Sequence, residues 1–265
     1  MDFEIIDFHT HPFKELNTDI YFYGNTYKTT KDTTKEIFTK LGISKICGSV
    51  IKWQPLNENE SLSERLKTIN DEALYLAEYY NGFYYPGCQI IPSLVEESKR
   101  EIDRFKKLGY NLVGELIPYN KCGLGFKIDV NDELDEILNY AEKQGMVVNI
   151  HTMDPDSMDA LLKRHKSLMF VAAHPGEPPQ FMRHLERFKM CDNYHLDMSG
   201  TGMFRYGTLK MAVDRMGADR VLFGSDYPGC SPAMFLGGVL MEGLLSDSEK
   251  EYVLSKNAKR LLNIK

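Results

Sequence analysis

The sequence predicts one (β/α)8 barrel spanning residues 1–265. Three observations lead there. The chain has 265 residues, close to the roughly 250 that a single eight-fold barrel takes. Eight apolar, β-branched runs alternate with longer amphipathic segments. No Pro/Ser/Gly-rich linker, repeat or low-complexity tract divides them. Apolar strands alternating with helices imply a parallel sheet covered on its faces, and eight units imply closure, with an open doubly wound sheet as the runner-up.

The elements follow in order. The first run, EIIDFH (4–9), ends on histidine and leads into an aromatic connection, 13–30, longer than usual and expected as a lid or pocket wall, although its tyrosines also suit an interface. The next strands are KICGSVI (45–51), FYYPGCQII (83–91), NLVGELI (111–117) and MVVNIH (146–151). LMFVAAH (168–174), YHLDMS (194–199) and RVLFGS (220–225) complete the set. Helical segments at 62–80, 95–108, 134–144 and 181–190 lie between them. Gly42, Gly82, Gly109 and Gly145 stand where several helices end, since glycine takes a left-handed terminal residue at little cost. The Met and Leu stripe at 234–245 suits core or a dimer surface.

Composition excludes several function classes. A net charge of -6 and a pI near 5.7 offer no basic stripe for a phosphate backbone, so nucleic acid is not an expected partner. No charged and apolar leader and no run near the ~18 residues of a membrane span are seen, so a cytoplasmic protein without membrane contact is expected. Five scattered cysteines, Cys47, Cys88, Cys122, Cys191 and Cys230, form no CxxC pair and suggest neither a disulfide framework nor a thiolate zinc site.

Barrels of this kind carry their chemistry at the C-terminal ends of the strands, so polar residues closing apolar runs are the candidates. They are His9 and His11 after the first strand, Glu115 in the fourth, His151 closing the fifth, His174 closing the sixth, Asp197 in the seventh and Asp226 past the eighth. From Glu115 onward the spacing is about one βα unit each time, so distant residues converge on one mouth. His9 and His11, at i and i+2, share a face and can present two imidazoles to one cation. With His151 and Asp226 they make a nitrogen and oxygen set suited to Zn, Mn, Fe or Co.

Taken singly, each residue has a structural reading. An HxH can be a polar interruption, His151 or His174 a satisfied surface residue, and Asp226 a helix N-cap within GSDYPG. Glu115, inside an apolar strand, either meets a cation or lies on a less buried strand. The ordered set outweighs the single explanations, and a divalent metal, zinc before Mn, Fe or Co, is the central expectation.

The motifs DFHTHP, VGELIP, NIHT, AAHPG, FGSDYP and the terminal NAKRLLNI resemble the amidohydrolase superfamily, in the branch of TIM-barrel metal-dependent hydrolases called amidohydrolase 2, over essentially the whole chain. The resemblance implies that His9, His11, His151 and Asp226 hold the metal. It implies that His174 binds a second metal or stands beside the water at the first. In the similar TatD-like nucleases a fourth-strand glutamate bridges two metals, which makes Glu115 a candidate bridge. The fourth strand has no lysine, so the carboxylated-lysine version does not apply. Relatives such as aminocarboxymuconate semialdehyde decarboxylase are similar with a single metal, so one or two ions per chain stay open.

Zn can lower the pKa of water from about 15.7 toward about 7. Asp226 would take the proton and pass it to the leaving group, with His174 as alternative acid/base or electrophile. Hydrolysis of an amide, lactone or ester bond in a small, carboxylated molecule follows. Lys52, Trp53, Tyr119, Lys121, Arg205 and Tyr206 lie in the loops after the strands. Arg205 is the best candidate for gripping a substrate carboxylate, with Trp53 and Tyr119 as pocket walls. A nonoxidative decarboxylase is the runner-up, a noncatalytic scaffold the third reading, and a homo-oligomer is compatible with all three.

Overall fold

Each apolar run becomes a strand because both of its faces can be buried, one toward the barrel axis and one toward helices. The computed structural model describes residues 3–16, 29–52, 56–117, 130–151, 154–203 and 205–265. Its strands are β1 Ile6–Asp7, β2 Lys45–Ser49, β3 Tyr84–Cys88, β4 Leu112–Leu116, β5 Val147–His151, β6 Met169–Ala173, β7 Tyr194–Asp197 and β8 Val221–Leu222. They form one sheet in chain order, every neighbouring pair parallel.

The edges of this sheet meet. The amide of Phe8 donates to Phe223 O at 2.9 Å, that of Asp226 to His9 O at 2.8 Å and that of His11 to Tyr227 O at 2.7 Å, while Thr10 bridges Tyr227. The expected (β/α)8 architecture is therefore present, with its seam between β1 and β8. Both seam strands are two residues long, shorter than their apolar runs. Beyond them the regular ladder ends while single backbone hydrogen bonds continue.

Helices occupy the outside. They include α1 Lys31–Lys40, α2 Leu62–Tyr80, α3 Val95–Lys107, α4 Asp132–Lys143, α5 Pro155–Arg164, α6 Pro178–Met190, α7 Thr208–Met216 and α8 Pro232–Leu240. The helix α2 starts at a capping box in which Ser61 and Glu64 satisfy each other's backbone N–H. Two helices begin before their first apolar residue. Asn131 caps α4 through the Leu134 amide, and Pro178 opens α6, where no N–H is needed. The four glycines expected at helix ends all have positive φ. The 234–245 stripe divides: Phe235, Leu236 and Val239 of α8 are buried, whereas Met234 and Met241 are exposed.

The larger apolar cluster lies between strands and helices and includes Phe38, Leu66, Ile102, Leu138 and Leu161. A smaller one joins Phe8, Cys47, Tyr85, Leu112, Val147 and Val171 to Leu261 and Leu262 of the last helix, α9 Asp247–Glu251 being followed by α10 Asn257–Leu262. Here α10 lies across the N-terminal ends of the strands: Asn111 donates to Leu261 O at 3.0 Å, Arg260 reaches His195 and Lys259 pairs with Glu4 at 2.9 Å. One end of the barrel is thus plugged, and polar chemistry is left to the other.

The ends of the 13–30 connection pair as an antiparallel ribbon, Glu15–Leu16 with Thr29–Thr30, and residues 17–28 lie outside the described residues. Cys47, Cys88, Cys191 and Cys230 are free thiols, and Cys122 lies outside the described residues. No helix among the described residues is long and apolar enough to cross a membrane.

Candidate metal centre

Four donor atoms gather at the open end of the barrel. His9 and His11, past the end of β1, bring their Nε2 atoms to 3.2 Å from each other. Glu115 Oε2, near the end of β4, lies 3.4 Å from His9 Nε2 and 3.2 Å from His11 Nε2. Asp226 Oδ1, beyond β8, lies 3.7 and 3.5 Å from the same two nitrogens. Four ligands arranged tetrahedrally at bonds of about 2.1 Å stand about 3.4 Å apart, so these spacings fit one divalent cation. The chemistry of the set, two imidazoles and two carboxylates, suits Zn, Mn, Fe or Co.

Glu115 turns its other oxygen the opposite way. Oε1 accepts from His151 Nδ1 at 2.8 Å and lies 3.5 Å from His174 Nε2. His151, expected beside His9 and His11, reaches them through Glu115. Glu115, His151 and His174 form a second cluster with metal-ligand spacing, joined to the first by that one carboxylate. Strand β4 is buried along its whole length, and Glu115 is 2% exposed. Its charge is therefore balanced by what faces it, not by water.

Behind the donors, acceptor groups fix the tautomers. His9 Nδ1 donates to Asp197 Oδ2 at 2.9 Å, and His11 Nδ1 donates to the Ser49 carbonyl at 2.9 Å. His174 Nδ1 donates to Ser199 Oγ at 2.9 Å, the Ser199 hydroxyl proton being directed at Asp197 Oδ1. In the neutral ring each Nδ1–H is committed, so each Nε2 turns a lone pair to the centre. Asp197 also accepts from Asn149 Nδ2 at 3.0 Å and from the amides of Ser199 and His174.

The electrostatics agree with a cation site. Burial pushes Glu115 up, but His9 and hydrogen bonds from His11, His151 and His174 outweigh it and hold the carboxyl well below its usual range. Burial likewise opposes the low pKa of Asp226, which His11, His174 and His9 enforce. Conversely, burial pushes His9 down while Asp197 and Glu115 draw it well above the ordinary value; His11 and His174 are raised against burial in the same way by the facing carboxylates. Without a cation, protons on the rings offset the anions. His174 and Asp226 both have left-handed backbones, φ 66° and 61°, an arrangement that costs about 1 to 3 kcal/mol and clusters at functional sites. Asp226 is not a helix cap, because Ser231 takes the N-cap position of α8.

Of the remaining candidates, Arg205, Tyr206 and Lys52 lie among the described residues. Arg205 pairs with Glu177 and lines an apolar cleft of about 460 Å³ with Met203, Leu209, Met234 and Met241. Tyr206 in the same loop is exposed, and Lys52 pairs with Glu72 at 2.5 Å. Trp53, Tyr119 and Lys121 lie outside the described residues. Asp197, noted in the sequence only as a strand end, holds His9. Ser199, Asn149, Ser49 and Gln89 went unread; the one signal was their position, two residues before or after a candidate ligand or within an apolar strand.

No curated protein matches the sequence. Among solved structures the chain is similar to 2,6-dihydroxybenzoate decarboxylase from Rhizobium, at TM-score 0.72 and 15% identity over 98% of this chain and 99% of that one. It is similar to a probable 2-pyrone-4,6-dicarboxylic acid hydrolase from Acinetobacter baumannii, at TM-score 0.69 and 14% identity over 100% of both chains. A dihydroxybenzoic acid decarboxylase from Polaromonas, with bound manganese and 2-nitroresorcinol, gives TM-score 0.69 and 17% identity over 89% of this chain and 86% of that one. At these identities the likeness is one of fold. The sequence itself matches the family described as amidohydrolase over residues 6–264, and with so nearly complete a match the chain belongs to the amidohydrolase family.

Proposed function

We infer that this protein is a divalent-metal-dependent hydrolase that cleaves an amide, lactone or ester bond in a small, carboxylated molecule. The observation that carries the reading is the set of His9, His11, Glu115 and Asp226 donors at the spacing of one coordination sphere. Those four residues would hold the ion, zinc or manganese being the leading choices. The bound ion would supply Lewis-acid chemistry, acidifying water and polarising a substrate oxygen.

The chain's own groups do the rest. The Asp226 side chain is 16% exposed, against 1 to 3% for His9, His11 and Glu115, so of the two carboxylates it faces the solvent side where a substrate arrives. It accepts the proton of the attacking water and returns it to the leaving group. His174 presents Nε2 beside Glu115 and is held by Ser199 from behind, which suits it to bind a substrate oxygen or carry a proton. His151 braces Glu115 Oε1.

Decarboxylation is the second reading. It is favoured by the decarboxylases among the structures of similar fold, whose matches cover 98% and 89% of this chain.

The test is Asp226→Asn, assayed against a panel of lactones, esters and amides bearing a carboxylate. Retention of most of the metal with turnover reduced about 10²- to 10⁴-fold is expected for loss of a general base. Near-normal turnover with full metal overturns the base assignment. Release of carbon dioxide from carboxylated aromatics, with no hydrolysis of the panel, replaces the first reading by the second.

A further inference from the structure

Gln89 is fully buried just past the end of β3, a strand that contributes no ligand. Its side-chain amide reaches both neighbouring strands. Nε2 donates to Ser49 Oγ of β2 at 2.8 Å and to the main-chain carbonyl of Glu115 in β4 at 2.9 Å. Ser49 is the residue whose carbonyl accepts His11 Nδ1–H, and Glu115 supplies the carboxylate 3.2 Å from His11 Nε2. One planar amide therefore links the end of β2, whose Ser49 carbonyl holds His11, to the end of β4, which carries Glu115.

The orientation of that amide is not arbitrary. The Glu115 carbonyl can only accept, so a flipped amide would set two oxygens face to face. The cost of the observed orientation is visible, since Gln89 Oε1 is buried with no hydrogen-bond partner among the described residues. An orphaned buried acceptor is tolerated where the opposite end of the group is needed. The main chain of Gln89 is clamped in turn: its amide donates to Asn70 Oδ1 at 2.8 Å, and Asn70 Nδ2 donates to its carbonyl at 3.1 Å. Asn70 is itself buried on α2, so the brace extends from the helical layer to the donors.

We propose that Gln89 is the positioning residue that sets the separation of His11 from Glu115 and so tunes the affinity of the centre for its cation. The inference rests on the reading of that centre as a divalent-cation site. Gln89 touches neither cation nor substrate; it acts through the two strand ends.

The test compares the wild-type chain with Gln89→Met, which keeps the volume and removes both donors, and with Ser49→Ala, which removes one partner of the amide and leaves the His11 acceptor carbonyl in the main chain. Manganese and zinc affinities are measured by competition with a chelating dye, and unfolding midpoints of the metal-free proteins by urea titration. Loss of a group that orients ligands lowers metal affinity about 10- to 100-fold. The expectation is a loss of that size for Gln89→Met and a smaller loss for Ser49→Ala. In the folded variants, NMR of the His11 ring Nδ1–H should move with affinity. Unchanged affinity and an unmoved His11 signal in either folded variant overturn the inference while leaving the metal reading intact. Absence of manganese or zinc binding by the wild-type chain overturns both. If Gln89→Met does not fold, Ser49→Ala alone decides.

Discussion

Replacing Asp197 by asparagine isolates the role of the group behind His9. The carboxylate accepts at both oxygens: His9 Nδ1 and Asn149 Nδ2 meet Oδ2, and the Ser199 hydroxyl with the amides of Ser199 and His174 meet Oδ1. Asparagine keeps the shape and offers one acceptor. With its NH2 at the Oδ2 position it would oppose two donors and force the His9 proton onto Nε2, removing that lone pair from the centre. With its NH2 at the Oδ1 position it keeps the His9 tautomer but leaves two backbone amides without an acceptor. Either way a charge-assisted bond to His9 becomes a neutral one or is lost, and such bonds are roughly twice as strong as neutral ones. The expected consequence is a 10- to 100-fold loss of metal affinity, equivalent to about 1.4 to 2.8 kcal/mol. Competition with a chelating dye measures it, with Glu177→Gln, which alters an exposed partner of Arg205 and none of the groups that bond Asp197, as a control expected to bind normally. A folded Asp197→Asn protein that holds the ion as tightly as wild type refutes the reasoning.

Metal removal should lower the melting temperature. An ion at 1,000 times its dissociation constant stabilises by about 4.1 kcal/mol, and a chain of 265 residues unfolds with an entropy of about 0.56 kcal/mol/K, so chelation should cost about 7 °C; an equal drop in His9→Ala would show that the ion acts elsewhere. Acid should destabilise the metal-free protein through two buried histidines outside the donor set. Burial first, helped by the nearby Arg187 and Arg260 respectively, pushes His184 down to about 3 and His195 down to about 4. Both rings are neutral when folded, so their contribution is complete above the unfolded value near 6.5 and is lost as pH falls from there toward the folded values. At pH 5 the loss is roughly 2 kcal/mol per ring at 1.36 kcal/mol per unit, and urea titrations at pH 7 and pH 5 should show a shallower pH slope for His195→Gln than for wild type. Gly200→Ala should displace His174, because the added Cβ would lie 2.4 Å from its Nδ1 at a residue with φ 54°. The backbone alone costs about 1 to 2 kcal/mol, and turnover falling by more than metal affinity is the outcome to be read by kinetics alongside the dye assay.

The barrel and its charged centre were legible because charge stands out in an apolar strand. His9, His11, Glu115, His151, His174 and Asp226 interrupt or close runs of Val, Ile and Leu, and parallel topology carries such ends to one face. What the sequence hid was which donors meet. His151 and Glu115 occupy adjacent strands with the same kind of signal, and only the coordinates turn one oxygen of Glu115 to His9 and His11 and the other to His151. Ser49, Gln89, Asn149 and Ser199 were silent because an uncharged side chain within a strand has no chemical signature until its neighbour across the sheet is known. Arg205 stands out as a substrate clamp for its charge and its loop; its pairing with Glu177 could not be read from spacing.

The seam gives the site a mechanical side. His9 and His11 stand on one lip of the closure and Asp226 on the other, and the lips are joined by few backbone hydrogen bonds: Phe8 to Phe223, Asp226 to His9, His11 to Tyr227. An ion gripping all three side chains would staple the cylinder shut where its fabric is thinnest. Breathing of the barrel and occupancy of the centre are then one equilibrium, and the exchange of these few amides with solvent would slow as the ion binds.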